Sequence, residues 1–234
     1  MEKAKGKMVD CNNPMEFNDE LFLTLGSLMG NMHRITMEYN GNVIMPEFEW
    51  YNDLYYSPEY NIILDDDVQV FEKRYIQKLH TFPKSKDCYG IIHGDIHARN
   101  FFVDNGSINL FDFEVCSINW YAYDIAKTLL LMVRHGVGFE EEKIRTEFAE
   151  NYLISYLKGY TQENKISKYW IYKFDFFMKH IITLGYRFGQ NTRENNEINI
   201  RDWDSDWHKQ RIINELPYAF IDYDKIIKNL RQGF

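Results

Sequence analysis

The chain has 234 residues, of which 45% are hydrophobic and 17% aromatic, and its formal net charge is −8. This composition is typical of a folded globule that buries a core in one large or two small domains, and it excludes a disordered chain. The negative charge argues against general nucleic-acid binding, and the sequence contains no apolar run near the roughly 20 residues that a membrane span requires.

The cysteines and the first residues indicate the compartment. Cys11, Cys88 and Cys116 are odd in number, lie far apart and form no CxxC pair. The first ten residues, MEKAKGKMVD, lack the apolar core of a signal peptide. We therefore expect reduced thiols in a cytoplasmic protein.

Helical periodicity accounts for two segments before the middle of the chain. Apolar residues between positions 21 and 32 step by four, three and four, which predicts a helix over 17–35 with Asn18 or Asp19 as its cap. A second helix is predicted over 65–79, where aspartates occupy the end that favours negative charge.

A small β element follows. The apolar run 89–92 and the segments 101–103 and 108–113 read as strands, and the Asp-Asn-Gly-Ser between the last two is a strong hairpin signal because Asn-Gly tolerates positive φ. After Trp120 the pattern is helical, over about 120–135, 140–159, 166–189, 204–215 and 222–231. The predicted class is α+β, mainly α-helical, with one small β-hairpin.

Polar residues that carry chemistry gather at this β element: His93-Gly94-Asp95, then Asn100, then Asp112-Phe113-Glu114. A two-residue turn would place Asn100 opposite Phe111, and a three-residue loop would place it opposite Asp112. In both cases Asn100 and Asp112 are neighbours, and an amide oxygen beside a carboxylate suits Mg²⁺. Asp95 lies just upstream, where it could take a proton from a hydroxyl. The arrangement favours phosphoryl transfer, in which catalysis is mainly positioning and charge neutralisation.

The same residues carry a family resemblance. HGDIHARN at 93–100, FDFE at 111–114 and YDIA at 123–126 resemble the aminoglycoside phosphotransferase and choline kinase-like family, which has a protein-kinase-like fold. The match is strong over 89–130 and loose over 17–35.

That resemblance implies a role for each matched residue. Asp95 is the catalytic base, and Asn100 and Asp112 hold the Mg²⁺ that accompanies ATP. His93 braces the catalytic loop, and Asp124 is a buried acceptor that ties down the backbone of that loop.

Other matched or neighbouring residues have more than one interpretation. His97 stands two residues after Asp95, where protein kinases carry a lysine, and the resemblance implies contact with the transferred phosphate. His93 and His97 are four apart, but Gly94 and the flanking strands indicate a loop and not the helix of an HExxH zinc site. Glu114 either reaches a second metal ion or is a solvated side chain.

The resemblance also implies a layout. The chain is expected to be a single kinase-like C-terminal lobe over 1–234, with a hinge-like start at 1–10, catalytic and metal loops at 89–114 and a helical acceptor-binding region at 140–234. No GxGxxG loop and no strand-borne lysine precede the motif, so the N-terminal ATP lobe is expected to be largely absent. A lone lobe, a start that lies upstream and a partner chain that supplies the missing half all remain open.

Two functional hypotheses follow. The first is an ATP-dependent phosphotransferase that moves the γ-phosphate to a hydroxyl of a small molecule, such as an aminoglycoside-like or other cationic acceptor. Asp202, Asp204 and Asp206, interleaved with tryptophans, would suit such a cation, although they are also good helix starters. The second is a non-catalytic kinase-like lobe that binds or regulates. In either case the surface of the missing lobe invites a homodimer or a partner.

Overall fold

The computed structural model describes residues 4–39, 48–52, 65–194 and 205–230, and helices dominate them. The helices are α1 (Asp19–Glu38), α2 (Asp66–Leu79), α3 (Tyr121–Val137), α4 (Glu142–Glu163), α5 (Lys168–Ile171), α6 (Phe174–Glu194), α7 (Ser205–Ile213) and α8 (Tyr223–Asn229). The strands are β1 (Tyr89–Ile92), β2 (Phe101–Asp104), β3 (Ser107–Leu110) and β4 (Ser117–Trp120). The mainly α-helical α+β class is confirmed. None of the described helices combines the length and the apolar character needed to cross a bilayer.

Capping decides where the first helix begins. The Asn18 side chain accepts hydrogen bonds from the backbone N–H groups of Glu20 and Leu21, both at 3.1 Å, so Asn18 and not Asp19 is the N-cap of α1.

One predicted helix is divided in two. The sequence pattern gave a single helix over 166–189, whereas the structure ends α5 at Ile171 and begins α6 at Phe174. The Lys173 N–H reaches back three residues to the Trp170 carbonyl at 3.0 Å, which tightens the turn between the helices. Neither proline nor glycine marks this break, and the periodicity therefore could not reveal it.

Glycines allow α1 and α4 to pack at very close range. A Cβ atom built on Gly26 would lie 1.9 Å from the carbonyl oxygen of Tyr156, and one built on Gly159 would lie 1.9 Å from that of Leu23. The backbones of the two helices are therefore in direct contact, which any larger side chain would prevent. This contact sets the position of α1 against α4.

The β element consists of two antiparallel pairs. β1 pairs with β4, and β2 pairs with β3 in a register that places Asp104 opposite Ser107. The turn therefore has two residues, Asn105 and Gly106, with φ of 49° and 82°. Near the start of the described chain, the Lys7 N–H and carbonyl bond to Val103 at 3.1 and 2.9 Å, so this segment runs along the edge of the hairpin.

Substitution of Gly26 tests the helix contact. We expect Gly26→Ala to lower the free energy of unfolding by about 2 kcal/mol, because backbone overlap outweighs the helix propensity that alanine adds. Urea unfolding measures the change. Ser27→Ala, at a half-buried neighbour whose hydroxyl makes one long bond of 3.4 Å to Glu163, should change stability by less than about 0.5 kcal/mol. Equal stability of the two variants would contradict the close contact.

Candidate active site

The two-residue turn fixes the relation between Asn100 and the residues after β3. The Phe111 N–H donates to the Asn100 carbonyl at 3.1 Å, so Asn100 stands opposite Phe111, and Asp112 is the next residue. Asp112 has a φ of +69°, a conformation that is uncommon for a residue with a side chain. Its exposed carboxylate makes no hydrogen bond or ion pair with any residue that the structure describes. A strained, unpartnered carboxylate is typical of a ligand site.

The Asp124 carboxylate anchors the loop that precedes Asp95. It is fully buried in the first turn of α3, where Oδ2 accepts from the His93 N–H at 3.1 Å and Oδ1 from the Gly94 N–H at 3.0 Å. Gly94 has a φ of +80°, and a Cβ there would lie 2.8 Å from the Val115 carbonyl oxygen. One side chain thus satisfies two consecutive amides at the point where the chain turns towards Asp95.

A third donor reaches Asp124 from α1. His33 is fully buried, and its Nε2 lies 3.2 Å from Asp124 Oδ2 while its Nδ1 lies 3.0 Å from the Tyr160 hydroxyl on α4. The imidazole also stacks on Tyr121 with ring centroids 4.5 Å apart. His33 is therefore a packed histidine, as histidines on apolar helix faces usually are, and it joins α1, α3 and α4 next to the loop that precedes Asp95.

His93 connects the loop to the end of the hairpin. Its Nδ1 accepts from the Asp95 N–H at 3.2 Å, so its proton is on Nε2, which donates to the Phe111 carbonyl at 3.2 Å. The ring is fully buried beneath Phe113, with centroids 4.6 Å apart. His93 thus sets the spacing between Asp95 and the residue before Asp112.

Three donors surround the Asp95 carboxylate. Lys127 Nζ lies 3.3 Å from Oδ1, whereas Oδ2 accepts from Asn100 Nδ2 at 3.2 Å and lies 3.5 Å from His97 Nε2. His97 Nδ1 accepts from the Arg99 N–H at 3.1 Å, which leaves its Nε2 as the donor towards Asp95.

These donors decide the charge of the site. Burial raises the pKa of Asp95, but the hydrogen bond from His97 and the charge of Lys127 outweigh it and lower the pKa to about 2. His135 stacks on His97 with centroids 5.2 Å apart. Burial, together with the neighbouring His97, lowers the pKa of His135 to about 4. Asp95 is therefore ionised at neutral pH, and His135 adds no charge there.

The donor set fits a hard cation. Because Asn100 turns its Nδ2 towards both the carbonyl and the carboxylate of Asp95, its Oδ1 faces away, and no described residue donates to that oxygen. Asn100 Oδ1 and the open Asp112 carboxylate are the ligand types that Mg²⁺ prefers, with phosphate oxygens completing the shell. Glu114, two residues later, is exposed.

A cavity of about 160 Å³ opens beside Asp95. Its walls are mainly apolar and come from α3, α6 and the α7 region. They include Leu130, Ile181, Ile182, Phe139, Trp207 and Tyr218. Asp95, Lys127 and Arg134 are the charged side chains that line it among the described residues.

The remaining predicted residues divide into two groups. Asp206 is exposed in the first turn of α7, next to Trp207 of the cavity wall, while Asp202 and Asp204 lie outside the described residues. Sequence reasoning missed Lys127. The signal was available, because Lys127 follows Asp124 by three residues and so shares its helix face.

Comparison with known proteins identifies the family. The model of the phosphotransferase enzyme family matches residues 3–165. Amicoumacin kinase of Bacillus subtilis (strain 168) is 31% identical over 189 residues, which are 79% of this chain and 54% of that protein. The solved structure of amicoumacin kinase hAmiN in complex with AMP-PNP, Ca²⁺ and Ami is 28% identical, with a TM-score of 0.79 over 96% of this chain and 67% of that one.

A more distant structure shares the fold. A choline/ethanolamine kinase family protein from Mesorhizobium loti is 14% identical, with a TM-score of 0.56 over 96% of this chain and 71% of that chain. The present chain spans about half the length of the curated amicoumacin kinase.

Replacement of Asp124 tests the anchor. Asp124→Asn puts an amide donor where one of three N–H groups needs an acceptor, so we expect the free energy of unfolding to fall by at least about 2 kcal/mol. Amide hydrogen exchange at His93 and Gly94 should accelerate more than exchange in α6. Asp206→Asn, at an exposed helix start, is the matched control and should be close to neutral. Unchanged protection at His93 and Gly94 in Asp124→Asn would show that the carboxylate does not hold the loop.

Proposed function

This chain belongs to the phosphotransferase enzyme family, and we propose that it carries the catalytic part of an ATP-dependent kinase that phosphorylates a hydroxyl group of a small molecule. One observation carries the proposal. The Asp95 carboxylate lines a cavity that can take an acceptor, while Asn100 and Asp112 present free oxygens at the adjacent end of the hairpin. A buried loop with satisfied backbone amides holds these groups together, as phosphoryl transfer requires.

The reaction that we propose is a direct transfer. The acceptor hydroxyl donates a hydrogen bond to Asp95, and its oxygen forms a bond to the γ-phosphorus. The bond between that phosphorus and the β,γ-bridging oxygen breaks, ADP leaves, and the hydroxyl proton passes to the carboxylate. Because its pKa is about 2, Asp95 orients the hydroxyl first and takes the proton only as the new bond forms.

Asn100 and Asp112 would hold Mg²⁺. When bound, the metal neutralises charge on the phosphates of ATP. AMP-PNP and Ca²⁺ in the related kinase structure support a nucleotide and a divalent cation in this role. His93 would keep the two loops at a fixed spacing, and His97 stands beside Asp95, where its Nε2–H would turn from the carboxylate to a phosphate oxygen when ATP binds.

The acceptor class follows from the relatives and from the cavity. The relatives named amicoumacin kinases suggest an acceptor of that kind. The apolar cavity wall suits an apolar moiety of the acceptor, next to the hydroxyl that is phosphorylated. A cationic group on the acceptor, held by Asp202, Asp204 and Asp206, stays a prediction.

Exposed apolar side chains favour a cover over the nucleotide side. Phe113 and Val115, which follow Asp112, are 52% and 39% exposed. We propose that further sequence of the kinase, a partner or a second copy covers them. If analytical ultracentrifugation shows a monomer over a range of concentrations, a second copy is not the cover.

The base assignment can be tested by an isosteric change. We expect Asp95→Asn to lower kcat at least about 100-fold, because the amide cannot take the hydroxyl proton. Calorimetry should show Mg·ATP binding within a factor of a few of the unchanged protein. Asp104→Asn, on the same hairpin but at its turn, is the control. Activity within threefold of wild type in Asp95→Asn would remove Asp95 from the mechanism.

The metal assignment can be tested at Asp112. We expect Asp112→Ala to weaken Mg·ATP binding at least about tenfold, since one of two protein oxygens is lost. Glu114→Ala, two residues later on the same loop, should bind Mg·ATP normally if Glu114 is solvated. An unchanged Mg²⁺ dependence in Asp112→Ala would contradict its ligand role, and a loss in Glu114→Ala would reveal a second metal ion.

A further inference from the structure

Lys127 is placed unusually for a lysine. It lies on α3, one turn after Asp124, and it is the one residue between 121 and 130 that is not classed as buried. The Lys127 side chain is only 18% exposed, and Asp95 is the one carboxylate within ion-pair distance of it among the described residues. Removing an ammonium group from water is unfavourable, and a partly exposed ion pair returns little stability. Stability alone therefore does not account for a lysine at this position.

The two oxygens of Asp95 are engaged differently. Among the described residues, Oδ2 faces two donors, His97 Nε2 at 3.5 Å and Asn100 Nδ2 at 3.2 Å, whereas Oδ1 faces only Lys127 Nζ at 3.3 Å. A carboxylate oxygen can accept two hydrogen bonds. Oδ1 thus keeps one acceptor site open, and that oxygen is the one held by the lysine.

Lys127 and Asp95 also line the same cavity. A hydroxyl group that enters this cavity and donates to Oδ1 comes to lie beside the Lys127 ammonium group. Arg134, a further cation, lines the cavity about two helical turns after Lys127. His135 faces His97 from α3, and Arg99 follows on the loop. Side chains of α3 therefore lie around the open acceptor site of Asp95 Oδ1.

We propose that Lys127 is a positioning residue for the transfer reaction: its ion pair with Oδ1 turns Asp95 towards the acceptor cavity and fixes where the acceptor hydroxyl must lie. This inference rests on the proposed function for its catalytic consequence. Its structural core, the orientation of Asp95 by a lysine on α3, stands apart from turnover and is tested separately.

The kinetic test compares Lys127→Met with Lys127→Arg in the full-length protein. We expect Lys127→Met to lower kcat about 10- to 100-fold, with KM for ATP changed less than twofold, because nucleotide contacts are untouched. Lys127→Arg should recover most of the loss. Lys127→Gln, neutral and of similar length, replaces the methionine variant if that variant unfolds.

A matched lysine is available as the control. Lys179 on α6 is similarly shielded, at 21% exposure, and pairs with Asp175 at 2.9 Å, but it does not line the cavity. Lys179→Met should keep kcat within a factor of two while changing thermal stability as much as Lys127→Met does. Equal losses of kcat in the two variants, or no recovery with arginine, would overturn the positioning role.

Crystal structures test whether Lys127 orients Asp95, even if no acceptor is phosphorylated. In Lys127→Met we expect the Asp95 carboxylate to rotate, so that Oδ1 leaves the cavity wall, and in Lys127→Arg we expect it to stay. An Asp95 that keeps its orientation in Lys127→Met would overturn the inference. Failure to find turnover with an unchanged protein would instead count against the proposed function, while the orientation result would still stand.

Discussion

The geometry of the site depends on one buried carboxylate. Asp124 has no exposed surface, and among the described residues three N–H donors reach its carboxylate, two from the loop that precedes Asp95 and one from His33. A buried charge with this many donors is stable only if each donor stays in place, because loss of any one leaves a desolvated oxygen. The carboxylate therefore enforces the turn at Gly94, and that turn delivers Asp95 to the cavity wall.

Keeping the donors to Asp124 in place also requires packing outside the loop. His33 can reach Asp124 only because α1 lies close to α4, and that approach depends on Gly26 and Gly159 meeting backbone carbonyls of the opposite helix. Tyr160 on α4 then holds the far side of the imidazole. A contact between two helices, at residues without chemistry of their own, thus determines where the loop that carries Asp95 lies.

The sequence reveals contacts between residues close together in the chain better than contacts between distant residues. The Asn-Gly turn, the two strands beside it and most helix starts follow from chemistry within a few residues, and the structure has them, although the predicted strand over 108–113 ends at Leu110 and β4 was not predicted. The spacing of the motif likewise brings Asn100 and Asp112 together through one short hairpin. By contrast, His33 and Asp124 are 91 positions apart, and no periodicity links them. Gly26 and Gly159 likewise gain meaning only when α1 and α4 meet. Asp202 and Asp204 lie outside the described residues, so their role stays a prediction.

The overall charge of the chain does not describe the charge of this cavity. The chain carries a net charge of −8, yet the described cavity has Lys127 and Arg134 beside a single carboxylate that is already paired. Fields fall off within about 10 Å at moderate salt, so distant acidic residues contribute little to a site that its own cations dominate. The hydrogen bond from His97 and the charge of Lys127 keep Asp95 ionised, so the charge state of this carboxylate follows from its immediate neighbours and not from the net charge of the chain.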